Sequence, residues 1–243
     1  MTLHFGQREW SASWRWALLA ALGVALFVSL GRWQWHRAQY KRALEDGFAR
    51  EAAQLTVVGT QSIDRLPRYA RVEVTGRYDG AHQFLLDNIT LGNRAGYDVL
   101  TPLRLADGRT LLVDRGWVPL INRRQLPDVA LAATGEITVR GRLDNLPVVG
   151  IALGRVPPAA TGPWPRVASF PFMSQLAQAL GQPLQARQLL LDADQPEGFT
   201  RQWRPNEGFG PAQHISYAIQ WWGLAALTLV LFGYTNLRKV PAP

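Results

Sequence analysis

Two uncharged segments, one near each end, constrain this chain more than any other feature. Trp16 to Gly31 reads WALLAALGVALFVSLG between Arg15 and Arg32, and Gly208 to Leu237 contains no Asp, Glu, Lys or Arg. As a helix, the first run spans about 24 Å, short of a hydrocarbon core of about 30 Å. Its flanks close the gap, because Arg15 and Arg32 can snorkel and Trp10, Trp14, Trp16, Trp33 and Trp35 are placed like interfacial belts. The second run contains ISYAIQWWGLAALTLVLFGY, Ile215 to Tyr234, about one bilayer long, and Arg238-Lys239 stops it. The alternatives are two buried core helices or, for the first run, a signal peptide cleaved after the small-x-small series Ser29-Leu30-Gly31. Arg32 and Trp33 follow that series at once, so a retained anchor is the expectation.

Two spans, at 14–35 and 214–237, put the tails 1–13 and 238–243 on one side and residues 36–213 on the other. The tails carry Arg8 and Arg15 against Glu9, and Arg238 with Lys239, while Arg37, Lys41 and Arg42 follow the first span. Long loops translocate largely regardless of charge, so the tails decide and are expected in the cytoplasm. About fifteen residues precede the first span, too few for a mitochondrial transit peptide. The expected location is a bacterial inner (plasma) membrane, crossed twice, with the large domain facing the periplasm.

The mean hydropathy of −0.08 resembles that of a soluble protein only because it averages apolar ends with a polar middle. Net charge is +8, and 24 of the 26 basic residues are Arg. The middle carries 21 basic residues from Arg37 to Arg204 and 17 acidic ones from Glu45 to Glu207, with no basic run. A nucleic-acid surface needs a clustered stripe, so no nucleic-acid partner is expected and membrane lipid is the simpler one. The absence of Cys removes disulfides, Cys-based zinc sites, iron–sulfur ligation and thiol catalysis.

Between the spans the pattern is β-rich. A polar helix continues from Trp33 to about Ala53. Strands are predicted at Arg71–Tyr78, Gln83–Asp87, Tyr97–Leu105, Thr110–Val118, Glu136–Leu143 and Gln188–Asp192. Asp107-Gly108 between two alternating runs predicts a hairpin. Phe170–Gly181 predicts a helix ended by Gly181 and Pro183, and Pro147–Pro165 an irregular loop. The expected fold is therefore a membrane protein with two transmembrane helices flanking an antiparallel β-rich (α+β) extracytoplasmic domain, a small sheet or part-closed barrel.

Candidate chemistry is scarce. There is no nucleophile elbow, phosphate-cradling Gly loop, dinucleotide fingerprint or His-x-x-x-His. His82, in Asp79-Gly80-Ala81-His82, leaves a membrane-anchored hydrolase open without a motif to support it. Asp192 and Asp194 read as a solvated strand end rather than a catalytic pair. Asp114-Arg115-Gly116-Trp117-Val118-Pro119 reads as a bulged strand with a buried Trp, stopped by Pro119, rather than a ligand contact. His214 enters the second span, with Tyr217 and Ala218 one turn on and Trp221 two turns on. An imidazole at that depth is costly unless paired or functional, and neutral His is a common axial ligand of haem iron. On the residues alone, an interfacial His hydrogen-bonded to water or headgroups is the reading to prefer. His36 lies at the same membrane face, and nothing in the spacing shows that it meets His214.

Three blocks, in order, carry a resemblance: GRWQWHRAQYK, GYDVLTPLRLADGRTLLVDRGWVP and HISYAIQWWGLAALTLVLFGY. Together they resemble the Surfeit-locus-one family of cytochrome c oxidase assembly proteins, from about Gly31 to Tyr234. The resemblance implies two spans around an extracytoplasmic domain and a non-enzymatic role in assembling haem-copper oxidase by supporting haem a supply. It implies His214 as axial ligand of haem iron, with Tyr217 and Trp221 flanking the ring, and reverses the preference drawn from the residues alone. The partners implied are the oxidase core subunit and haem a synthase. Trp33, Gln34, Arg37 and Lys41 match the family's Trp-Gln and downstream basic positions, whereas His36 matches none. Gly96, Tyr97, Pro102, Arg115 and Gly116 match family positions of structural character. The alternative is a membrane-anchored interaction scaffold for oxidase subunits that binds no haem.

Overall fold

The computed structural model describes residues 2–5, 8–51, 55–58, 63–122, 125–133, 135–148, 154–205 and 209–239, with 2–5, 8, 9, 238 and 239 described by backbone alone. The His4 side chain, the end of the polar helix at Ala52-Ala53, residues 149–153 of the predicted loop and the last tail residues 240–243 lie outside the described residues. In chain order the elements are β1 (Thr2–Phe5), β2 (Arg8–Ser11), α1 (Trp14–Arg50), β3 (Leu55–Val57), β4 (Arg71–Tyr78), β5 (Phe84–Leu91), β6 (Arg94–Leu105), β7 (Thr110–Pro119), β8 (Glu136–Asp144), β9 (Arg166–Ala168), α2 (Met173–Leu180), β10 (Gln188–Leu191), α3 (Pro211–Thr235) and β11 (Leu237–Lys239). They form two compact units, residues 1–46 with 205–243, and residues 47–204.

The first unit is a pair of antiparallel helices. Along α1 and back along α3, Gly23 faces Thr228, Phe27 stacks on Trp221, Gly31 meets Trp222, and Gln34 meets His214. The buried face of α3 is His214, Ala218 and Ala225, and that of α1 is Gly31, Ala38 and Lys41. Both helices are long and apolar enough to cross a membrane. The other faces point outward, with Trp14 70%, Leu19 58% and Val230 65% exposed. That is the opposite of a core helix, whose apolar side chains would be covered. α1 also runs unbroken through Ser29-Leu30-Gly31, so the candidate cleavage series lies mid-helix. Beyond the helices, β1, β2 and β11 form a small antiparallel sheet that brings the two tails together.

The second unit is a barrel-like sheet in the order β3-β4-β8-β10-β7-β6-β5-β9, with β4 pairing again to β6. That extra pairing closes a ring of five strands, β4, β8, β10, β7 and β6. β4 lies on β8 along Arg71–Arg77, then reaches β6 through Gly76–Tyr78. Gly76 sits at the crossing, where a Cβ would come within 2.5 Å of the Arg104 carbonyl oxygen. Closure therefore needs a residue without a side chain there. All five ring strands feed one interior cluster, including Val72, Val74, Leu103, Leu111, Val113, Val139, Leu143, Leu189 and Leu191. On the outside, Leu176 of α2 packs on Phe84, Leu86, Leu100, Leu112 and Ala168. With both faces covered, Thr110–Val118 of β7 is buried at every position. Period-two alternation here chooses between inside and outside apolar clusters, not between core and water.

The predicted strands form close to their expected bounds, and the Asp107-Gly108 turn joins β6 to β7 as an antiparallel hairpin, Gly108 at φ +84°. The expectation of an antiparallel sheet needs correction, because β3–β4, β5–β9 and β7–β10 are parallel. β10 arrives after the long connection through β8, β9 and α2, and slots between β7 and β8. A crossover of that length permits a parallel partner, where a tight turn permits only an antiparallel one. α2 is shorter than predicted at its start, with Phe172 as N-cap, and Gly181 closes it in the left-handed conformation at φ +75°.

Candidate functional site

The site is assembled where the two long helices converge at His214. Pro211 occupies the first helical position of α3, where its missing N–H costs nothing. Gln213 Oε1 accepts the Gly210 N–H at 3.2 Å, which fixes the entry of the chain into the helix. His214 thus sits in the first turn, 9% exposed.

His214 Nδ1 lies 2.7 Å from Gln34 Oε1 across the helix pair. A carboxamide oxygen only accepts, so Nδ1 carries the proton and donates it, and the lone pair is left on Nε2. An acceptor on one ring nitrogen is the usual device for fixing the tautomer and orientation of a metal-binding imidazole. Among the described residues Gln34 is the hydrogen-bond partner of the His214 imidazole, while the backbone N–H donates to the Gly210 carbonyl. His36, the other histidine at this level of the sequence, is exposed on α1 and takes no part.

The aromatic neighbours divide. Trp221 stays on the His214 face of α3 and stacks on Phe27, with ring centroids 5.9 Å apart and planes 22° from parallel. Tyr217 lies to the side, 40% exposed, with its ring 6.2 Å from Phe209. Phe209 also meets His214 edge-on at 6.4 Å, so it touches two of the three predicted site residues. Sequence reasoning missed Phe209, because nothing in a loop aromatic before a helix shows that it folds back. Gly31 gives the helices room: a Cβ there would overlap the Trp222 indole.

An imidazole whose Nδ1 carries the proton can give one bond to a metal through Nε2. Among the described residues no group of three or more His, Cys, Asp or Glu could hold a metal ion.

The other candidates resolve into structure. Asp192 Oδ2 receives Arg71 Nη2 at 2.8 Å, and Asp194 receives Arg140 Nη2 at 3.1 Å. Both lie beyond the end of β10, each with its own arginine rather than facing each other. His82 Nδ1 is 2.8 Å from Asp79 Oδ1, and its ring stands edge-on to Trp164. Burial alone would raise the Asp79 carboxyl, but hydrogen bonds from His82 and Arg104 outweigh it and hold the group below its ordinary value. Among the described residues no serine hydroxyl joins that pair.

The Asp114–Pro119 segment is the bulged strand expected. β6 and β7 step from Asp98↔Trp117 to Leu100↔Asp114, which inserts one extra residue into β7, with Gly116 at φ +106°. The bulge turns Arg115 inward, 1% exposed. Its guanidinium donates to Glu197 O at 2.5 Å, Gln83 Oε1 at 2.9 Å and Val129 O at 2.9 Å, and lies over the Phe199 ring. One buried cation thus ties the loops around residues 129 and 197 to the sheet. Asp114 is equally buried and accepts the Gly116 N–H at 3.0 Å. Burial, and after it the Asp98 carboxylate, push the Asp114 carboxyl well above the usual range.

The chain is similar to known proteins over most of its length. The SURF1 family matches residues 21–226. The chain is 27% identical over 250 residues to Surfeit locus protein 1 of Xenopus tropicalis, covering 92% of this chain and 76% of that protein. It is 30% identical over 246 residues to a SURF1-like protein of Monosiga brevicollis, covering 92% and 87%. An uncharacterized SURF1-like protein of Mycobacterium tuberculosis is 31% identical over 175 residues, covering 70% and 62%. Two candidate spans together with these matches support a membrane protein. The matched region runs from the first apolar helix, through the whole barrel, into the second, and the chain belongs to the SURF1 family.

Proposed function

We propose that this protein is an assembly factor for haem-copper cytochrome c oxidase that holds haem a at His214 and aids its delivery to the catalytic subunit. The single observation that carries the reading is the Gln34–His214 hydrogen bond, which leaves Nε2 as the acceptor side of a buried imidazole. Membership of the SURF1 family is consistent with the oxidase-assembly part of the proposal. Haem a as cargo brings its own four equatorial nitrogens and needs only an axial base, the one donor His214 can offer. Trp221, stacked on Phe27, and Tyr217, beside Phe209, supply apolar ring surface near that base. Residues that hold the cargo by one axial bond and ring contacts suit a carrier that must let go.

In this reading the protein crosses a bacterial inner membrane twice, with the barrel in the periplasm. It works beside the oxidase core subunit and haem a synthase, and catalyses no reaction itself. The test is to purify the full chain from membranes of cells that make haem a, and from cells lacking haem a synthase. A Soret band is expected only from the first, and His214→Ala should remove it. If the core subunit co-purifies while the spectrum stays empty, the haem-free scaffold replaces this reading.

A further inference from the structure

α3 carries two seams with the same heptad spacing. The first, His214, Ala218, Trp221, Ala225 and Thr228, runs at steps of four and three and faces α1. His214, Ala218 and Ala225 are buried there, Trp221 stacks on Phe27, and Thr228 lies opposite Gly23. The second seam repeats those steps two residues on, through Ser216, Gln220, Gly223, Leu227 and Val230. Two residues turn a helix by about 200°, so this seam lies on the side of α3 away from α1. All five of its residues are exposed.

Lipid suits Leu227 and Val230, but not Gln220. Gln220 lies about 7.5 Å along the axis from Ile215, inside the uncharged run. Ser216 returns its hydroxyl to the Ala212 carbonyl at 3.1 Å, and Thr228 does the same to Leu224 at 2.8 Å. Gln220 has no such return, and among the described residues its carboxamide has no hydrogen-bond partner. An unpaired amide in hydrocarbon is costly, so polar side chains in spans pair across helices. One turn further, a Cβ on Gly223 would meet nothing within 4 Å, which leaves the backbone open to close approach by another helix.

We propose that this seam is a dimer interface, packed in parallel against the same seam of a second copy, with the two Gln220 carboxamides hydrogen-bonded to each other. This rests on the reading above that α3 spans the bilayer. Every copy inserts in one orientation, so Gln220 reaches the same depth in both. A carboxamide donates and accepts, so two of them across a twofold axis satisfy each other. A helix of another protein would need a polar side chain at that one depth, whereas a second copy supplies it by symmetry. One polar residue in an otherwise apolar seam also fixes register and the number of partners. The contacts of His214 with α1, on the opposite side of α3, are left undisturbed.

The chain has no Cys, so a single thiol can be placed on either side of the helix. Full chains carrying Leu227→Cys, on the seam, or Leu229→Cys, exposed but off it, are oxidised in isolated membranes with copper phenanthroline. Leu227→Cys should give a disulfide-linked dimer of the chain, and Leu229→Cys little or none. At low expression, adding Gln220→Leu to Leu227→Cys should lower the linked fraction about tenfold. Gln220→Asn, which keeps the carboxamide, should preserve most of it and so guards against a folding defect. Equal linking at 227 and 229, no dimer at either, or undiminished linking with Gln220→Leu would overturn the proposal. So would a Leu227→Cys link to a different membrane protein in place of the dimer. Release of the unaltered chain from membranes by alkaline carbonate is a different result. It removes the bilayer reading itself, and this inference with it.

Discussion

Arg115 in the barrel and His214 in the helix pair are buried polar side chains used in opposite ways. In the barrel, Arg115 spends its donors on Gln83, Val129, Glu197 and the Phe199 ring, so the charge is consumed by the fold. In the helix pair, His214 has one nitrogen engaged by Gln34 and its other nitrogen presents a lone pair. A buried cation with its donors engaged ties the fold together, whereas a histidine engaged at one ring nitrogen keeps a lone pair on the other. The residue that looks more unusual in the sequence, an arginine inside a core strand, is the structural one.

The strongest way to break this contrast is to remove the cation from the barrel. Arg115→Met leaves the Glu197 carbonyl without its donor and strips one of two donors from Gln83 Oε1 and from Val129 O, which keep Thr101 Oγ1 and Gln83 Nε2, and should cost about 2–3 kcal/mol. The shift of the thermal or urea unfolding midpoint measures it, and a loss under about 1 kcal/mol would mean the loops are held otherwise. On the other side of the contrast, Gln34→Leu should leave the unfolding midpoint nearly unmoved but weaken porphyrin binding about 10- to 100-fold, the usual cost of losing an outer-shell partner. Gln34→Glu keeps the acceptor and should keep the binding.

The sequence shows the strands because their patterns are local: β4 and β8 alternate, and β10 is a short apolar run. It hides which strands are neighbours. β10 between β7 and β8, and the β4–β6 contact that closes the ring, are settled by the fit of the interior cluster and by Gly76, across many tens of residues. The short β3 and β9 carry too few residues for any period to register. At the site, His214, Tyr217 and Trp221 stand out by helical spacing, but the partner that fixes the imidazole lies on the other helix. Gln34 matches a family position, yet only folding shows that it faces His214 while His36 does not. Tyr217 shares a helical neighbourhood with His214 but turns to Phe209, because three residues along a helix leave room for divergence.

A smaller effect sharpens the electrostatics of the barrel. The folded Asp114 carboxyl binds its proton more tightly than the unfolded chain does, since burial and Asp98 raise it. Its contribution to stability is therefore present below about pH 4 and is lost as pH rises through the raised value. Asp114→Asn should flatten the fall in urea midpoint between about pH 4 and pH 7. An equally steep fall in the variant would assign the slope to other groups. Smallest of all, Asp194→Asn breaks only the half-exposed pair with Arg140 and should change stability by less than about 1 kcal/mol. A larger loss would give Asp194 a role beyond a solvated loop.

In the proposed function, Nε2 of His214 would ligate the haem iron. His214→Gly removes the imidazole and opens a space of its size, so free imidazole can be supplied from solution. The full-length variant, purified from cells that make haem a, should lack the Soret band of the unaltered protein and regain it when imidazole and haem are added together. A native spectrum in His214→Gly without imidazole would contradict the account.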